Sequence, residues 1–146
     1  MSAVREFMTT NARCITENQS LVDAARMMMD LDCGSLPICG DDGRLKGMIT
    51  DRDIVLKCVA AGRDPGEMMA RELATGKPHW VDADANIDEA IDMMEKYQIR
   101  RLPVIADHKM VGIISQGDIA RNYSEEKVGE LVEHISERKR MQSSSS

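Results

Sequence analysis

Gly47-Met48-Ile49-Thr50-Asp51-Arg52-Asp53-Ile54 is the stretch on which the reading of the chain turns. An apolar, β-branched run ends at Thr50, and polar residues with apolar positions at helical spacing follow at once. The stretch therefore reads as a strand passing directly into a helix. The start of a helix presents backbone N–H groups without partners and favours anions. Thr50 adds a hydroxyl, Arg52 a guanidinium and Asp53 a carboxylate, the usual partner of a sugar diol, so the groups together suit a nucleotide. Asp53 can equally cap its own helix, a role that stabilises by about 0.3–1 kcal/mol. One such junction is a weak signal, but Gly112-Ile113-Ile114-Ser115-Gln116-Gly117-Asp118-Ile119 repeats it.

The repetition extends well beyond the junction. Val4-Arg5-Glu6-Phe7-Met8-Thr9 aligns with Ala70-Arg71-Glu72-Leu73-Ala74-Thr75, and Cys14-Ile15-Thr16 aligns with Trp80-Val81-Asp82. Ser20-Leu21-Val22-Asp23-Ala24 meets Asn86-Ile87-Asp88-Glu89-Ala90, and Leu36-Pro37-Ile38 meets Leu102-Pro103-Val104, all at one offset of 66 residues. A one-residue deletion in the second copy's turn makes the offset 65 from Gly47 and Gly112 onward.

Each copy predicts the same order of elements. Ile15 and Val81 centre short first strands. Ser20 and Asn86 are N-caps, with Asp23 and Glu89 three residues on as in a capping box. Leu21, Ala24, Ala25, Met28 and Leu31 give the first helix an apolar face, and Ile87, Ala90, Ile91, Met94 and Tyr97 give one to its counterpart. Ser35 to Cys39 and Arg101 to Ile105 read as strands whose Pro37 and Pro103 belong at a strand start or an edge. Turns at residues 40–43 and 106–108 lead into strands around 45–49 and 110–114. Closing helices are expected over about 51–61 and 116–122, with Gly62 ending the first. The expected boundaries are repeat 1 over 1–66 and repeat 2 over 67–123. A C-terminal amphipathic helix over 124–140 carries Val128, Leu131, Val132 and Ile135 on one face, which packs on its own chain or on a partner. A Ser-rich, disordered tail is expected over 141–146.

Composition narrows the function. With 146 residues and 42% apolar content the chain can bury one ordinary core. A formal charge of −6 argues against a general nucleic-acid binder, which needs a basic face. No apolar run approaches the length of a membrane span, so the expectation is a cytoplasmic protein without membrane contact. His79, His108 and His134 share no ligand spacing and Cys14, Cys33, Cys39 and Cys58 show no C-x-x-C pattern, so no metal is expected. The four cysteines are expected to be reduced and partly buried. The exception to test is a disulfide between Cys14 and Cys39, which each end a predicted strand, if those strands are neighbours. The twelve methionines read as flexible core filler. No nucleophile has an identifiable base beside it, and neither a Walker A loop nor a dinucleotide fingerprint is present, so no enzyme is expected.

Strand, helix, strand, strand, helix given twice, with Leu-Pro at the second strand and Gly-x-x-Thr/Ser-x-x-Asp after the third, resembles a tandem pair of CBS domains, a Bateman module. The resemblance covers about residues 4–122. It implies an α+β fold of two pseudo-symmetric βαββα repeats packed through their sheets, with two clefts between them, and often a disc-shaped homodimer. It implies AMP, ATP, NAD or S-adenosylmethionine as candidate ligands, with no cofactor required. Asp53 and Asp118 would then take ribose hydroxyls, Thr50 and Ser115 would lie beside phosphate, and backbone at Ile15, Thr16 and Val81 would flank the base. Arg100 and Arg101 would add positive charge, or else form plain surface ion pairs. The first repeat carries Arg52 where the second has Gly117, so the Asp53 cleft, with phosphate reaching toward Arg100 or Arg101, is expected to be the better anion site. The Asp118 cleft is expected to be empty or to hold a neutral or adenosine-like group. The function implied is a regulatory module signalling to another protein. The alternative is a ligand-free structural or interaction dimer, redox-sensitive if Cys14 and Cys39 pair.

Overall fold

The computed structural model describes residues 2–74 and 76–122. Thr75 and the expected C-terminal helix and tail lie outside the described residues. The fold is α+β, two βαββα repeats. The first comprises β1 (Ile15–Thr16), α1 (Leu21–Leu31), β2 (Ser35–Cys39), β3 (Leu45–Thr50) and α2 (Asp51–Ile54). The second comprises β4 (Val81–Asp82), α3 (Ile87–Tyr97), β5 (Arg101–Ala106), β6 (Lys109–Ser115) and α4 (Gln116–Asn122). Each repeat has a three-stranded sheet, in the orders β1-β2-β3 and β4-β5-β6.

The two long helices start and stop for local reasons. Ser20 Oγ accepts from Asp23 N at 3.2 Å, and Asn86 Oδ1 accepts from Asp88 N at 2.9 Å. Asp32 (φ 50°) and Gln98 (φ 54°) end them in the left-handed region, a C-terminal signal written without glycine. Their buried faces are Leu21, Ala24, Met27 and Met28, and Ile87, Ala90, Ile91 and Met94. Leu31 and Tyr97, expected on those faces, are exposed because each is the last helical residue, where the backbone turns away. Ala25, also expected there, is exposed while Met27 is buried instead.

Two further expectations are corrected. Pro37 and Pro103 lie in central strands, not at edges. They are accommodated because the short outer strands begin one residue later, at Ile15↔Ile38 and Val81↔Val104. The helix after Asp51 is α-helical only to Ile54 and continues as a π-helical turn over Val55–Val59, closed by Ala60 N on Val55 O at 2.8 Å. That turn keeps Ile54 and Cys58 buried while Val55, Leu56 and Val59 stay exposed.

The compact units are not contiguous halves of the chain. One contains residues 2–11, 80–106 and 111–122; the other contains 12–74, 76–79 and 107–110. The N-terminal strap thus packs with the second repeat. Val4 and Phe7 join a core of Val81, Ile87, Met94, Leu102, Val104, Ile114 and Ile119. The equivalent strap between the repeats packs with the first, where Met68, Ala70 and Leu73 join Ile15, Leu21, Leu36, Ile38 and Ile49. Glu6 and Glu72 close the turn of each strap by accepting from Ala3 N at 2.9 Å and Met69 N at 2.8 Å.

The straps explain the glycine that opens each junction. A Cβ on Gly112 would stand 2.7 Å from Thr9 O, and one on Gly47 would stand 3.0 Å from Ala74 Cα. Among the described residues, no helix is long and apolar enough to cross a membrane.

Candidate functional site

Both strand-to-helix junctions form, and each closes on a reciprocal capping box. In the first, Thr50 Oγ1 accepts from Asp53 N at 3.0 Å while Asp53 Oδ2 accepts from Thr50 N at 3.2 Å. In the second, Ser115 Oγ accepts from Asp118 N at 3.1 Å and Asp118 Oδ2 accepts from Ser115 N at 3.0 Å. The boxes therefore sit at these junctions, and Asp23 and Glu89, expected to complete them on α1 and α3, do not reach back. Because each hydroxyl accepts from the helix, its proton remains available to donate outward, as a phosphate oxygen would require.

The two carboxylates differ in how much of their capacity is used. The Asp53 side chain is 27% exposed, and its other oxygen, Oδ1, meets only Lys57 Nζ at 3.5 Å. The Asp118 side chain is 5% exposed. Thr9 Oγ1 donates to both its oxygens at 3.2 and 3.3 Å, and Arg121 Nη2 donates to Oδ1. A carboxylate offers about four lone-pair sites. Asp53 keeps part of that capacity turned to solvent, whereas Asp118 is enclosed by Thr9, Ser115 and Arg121.

The other expected residues fall into place by unit. Ile15 is buried and Thr16 half-buried in β1, in the same unit as Thr50, Arg52 and Asp53. Arg52 is exposed and has no ion pair among the described residues. Val81 is buried in β4, and Arg100 and Arg101 are exposed in the unit that holds Ser115 and Asp118. Gln116 N donates to Arg100 O at 2.9 Å, which brings the Arg100 backbone to the start of α4. Asp51 N donates to Gly34 O at 3.0 Å in the same way in the first repeat. Thr9 and Arg121 were missed by sequence reasoning. The helical i,i+3 spacing from Asp118 could have flagged Arg121; nothing local in the sequence points to Thr9.

Cys39 ends β2 and Cys14 directly precedes β1, the strand paired with it, yet both are free thiols, so the disulfide considered between them does not form. A hydrogen bond from Cys39 pulls the Cys14 pKa down to about 7, against an ordinary 9.0. The same bond, together with burial, pushes that of Cys39 well up. Among the described residues no three His, Cys, Asp or Glu side chains cluster so as to hold a metal ion.

Comparison with known proteins agrees with this architecture. The CBS domain family model matches residues 4–59 and 70–125. Hypoxic response protein 1 of Mycobacterium tuberculosis is 47% identical over 135 residues, covering 92% of this chain and 94% of its own. The crystal structure of Hypoxic Response Protein I with two coordinated zinc ions is 48% identical and superposes with a TM-score of 0.77 over 84% of this chain and all of that one. CBSX2, solved in complex with AMP, is 26% identical with a TM-score of 0.70, covering 83% of this chain and 95% of that one. The two matched segments are the two βαββα repeats, each with its strap and junction, and the chain belongs to the CBS-domain family as a tandem pair.

Proposed function

We propose that the chain is a non-catalytic regulatory module that binds an adenosine-type ligand at the Thr50–Asp53 junction and signals to another protein. The observation that carries this reading is the open carboxylate of Asp53. It is fixed by a capping box, is 27% exposed and faces one lysine, beside a hydroxyl with a proton to give and an unpaired Arg52. Ribose hydroxyls on Asp53, phosphate on Thr50 and Arg52, and a base against the backbone of Ile15 and Thr16 use each group for what it does best. Val81, Ser115 and Asp118, with Arg100 and Arg101 beside them, are the corresponding set of the second repeat. There the enclosed Asp118 makes a ligand displace existing bonds before it gains new ones. The AMP complex of CBSX2 supports an adenine nucleotide as the ligand class. ATP, NAD and S-adenosylmethionine share the adenosine group.

Calorimetric titration with AMP, ATP, NAD and S-adenosylmethionine tests the proposal. Binding by at least one that is lost in Asp53→Ala and kept in Asp118→Ala supports it; equal loss in both refutes the asymmetric assignment.

A second reading, a homodimeric interaction protein, draws on a different observation. Met29, Val55, Leu56 and Val59 on α1 and the π turn are 74, 54, 50 and 59% exposed, beside a groove of about 520 Å³ lined by Met28, Met29, Cys33, Ile54 and Val55. Exposed apolar surface of this kind marks an interaction site. A stable dimer that binds none of the four ligands would favour that reading.

A further inference from the structure

Cys14, Cys39 and Met110 gather three sulfur-bearing side chains in one compact unit. Cys39 Sγ lies 3.9 Å from Met110 Sδ, and Cys14 stands near enough to Cys39 for the two thiols to perturb each other. The backbone dictates this grouping. β1 runs parallel to β2 with Thr16 opposite Cys39, and Cys14 directly precedes β1, two residues before Thr16. Met110 is held against the β2–β3 turn by its N–H, which donates to Gly43 O at 3.1 Å. Cys39 is buried, and Cys14 and Met110 are half-buried, so an ion has access from one side.

We propose that these three side chains form a binding site for one soft, thiophilic monovalent cation of the Cu(I) class. Metal–sulfur bonds of about 2.3 Å place two sulfurs bound to one ion about 3.8–4.0 Å apart, whether the site is tetrahedral or trigonal. The 3.9 Å between Cys39 and Met110 matches that edge. The donor type selects the ion. Thiolates serve Zn(II) as well as Cu(I), but the thioether as third donor favours Cu(I), no further His, Cys, Asp or Glu among the described residues completes a zinc site, and Mg and Ca prefer oxygen. Binding displaces both thiol protons to solvent. One cation on two thiolates and a neutral thioether leaves the site with one negative charge. The second repeat carries Trp80 and Ile105 where the first has Cys14 and Cys39, so the site occurs once per chain. The inference is independent of the nucleotide reading.

The test is competition for Cu(I) between the reduced full-length chain and a colorimetric Cu(I) chelator without oxygen. One Cu(I) per chain and a thiolate-to-copper charge-transfer band are expected. Cys14→Ser should weaken binding by roughly 100-fold or more, beyond what loss of an outer-shell partner costs, and Met110→Leu by roughly tenfold. Cys33→Ser should bind as the parent does. Cys39 is buried, so if Cys39→Ser does not fold, Cys14→Ser and Met110→Leu decide. Absence of Cu(I) binding by the folded reduced chain overturns the proposal, as does binding insensitive to Cys14→Ser. Binding that needs the cysteines but ignores Met110→Leu overturns the three-sulfur assignment, and tighter binding of Zn(II) than of Cu(I) overturns the choice of ion.

Discussion

Asp53 and Asp118 occupy the same place in the same motif, and their surroundings give them different work. Asp118 answers Ser115 N, Thr9 and Arg121 from a buried position, so Asp118→Ala leaves Ser115 N without its partner and should cost roughly 1–3 kcal/mol. Asp53→Ala removes a more exposed cap and should cost roughly 0.5–2 kcal/mol. Urea unfolding with an unchanged slope measures both, and the milder loss keeps Asp53→Ala usable as a ligand-binding control. Cys14 offers a second test at this scale. Its thiolate is stabilised by Cys39, so its alkylation rate by iodoacetamide should rise with pH about a midpoint near 7. Cys39→Ala removes the stabilising S–H and should move that midpoint up toward 9.0, the ordinary value. A midpoint unchanged by Cys39→Ala would show that the hydrogen bond is not the cause. The sequence alone identified both aspartates, because a hydroxyl and a carboxylate three residues apart at a strand end are a local signal. It left open which carboxylate is accessible, because Thr9, 109 residues from Asp118, arrives through tertiary packing.

At the scale of elements, the glycine that opens each junction is where the repeat pattern and the packing meet. In an open strand, Gly→Ala gains about 0.5–1 kcal/mol from reduced backbone entropy. At Gly112 the new methyl would stand 2.7 Å from Thr9 O and 3.0 Å from Met8 Sδ, and the strap is held by Thr9 N on Ile113 O at 2.8 Å and Ile113 N on Thr9 O at 3.1 Å. Moving that backbone breaks the bridge, so Gly112→Ala should destabilise by about 1–3 kcal/mol, as overpacking does. Hydrogen exchange should show the Thr9 and Ile113 amides losing protection first. A stabilised Gly112→Ala with both amides still protected would mean that the strap does not rest on this strand. The helices, sheets and hairpins were legible because periodicity and caps are local. The π turn at Val55–Val59 was not, since Ile54 and Cys58 are at a spacing an α-helix would also bury.

For the whole molecule, the consequence that sequence periodicity hides is the exchange of straps. Val4 and Phe7 have the same apolar spacing as Ala70 and Leu73, so the pattern cannot say which strap joins which core. The structure puts each on the repeat other than the one that follows it in sequence: Val4 and Phe7 are 0 and 9% exposed in the core built around Ile87, Met94 and Leu102. Burying two such side chains contributes roughly 1.5–3 kcal/mol each. That is a large share of the roughly 5–15 kcal/mol that holds a domain of this size together. A fragment of residues 67–146 therefore lacks part of its own core, and a fragment of residues 1–66 lacks Met68, Ala70 and Leu73. Each alone should show little cooperative thermal unfolding by circular dichroism. Adding a peptide of residues 1–11 should restore a transition to the 67–146 fragment, and the same peptide with Phe7→Ala should restore much less. If the 67–146 fragment unfolds cooperatively without the peptide, and the peptide leaves its midpoint unchanged, the straps do not complete the two cores.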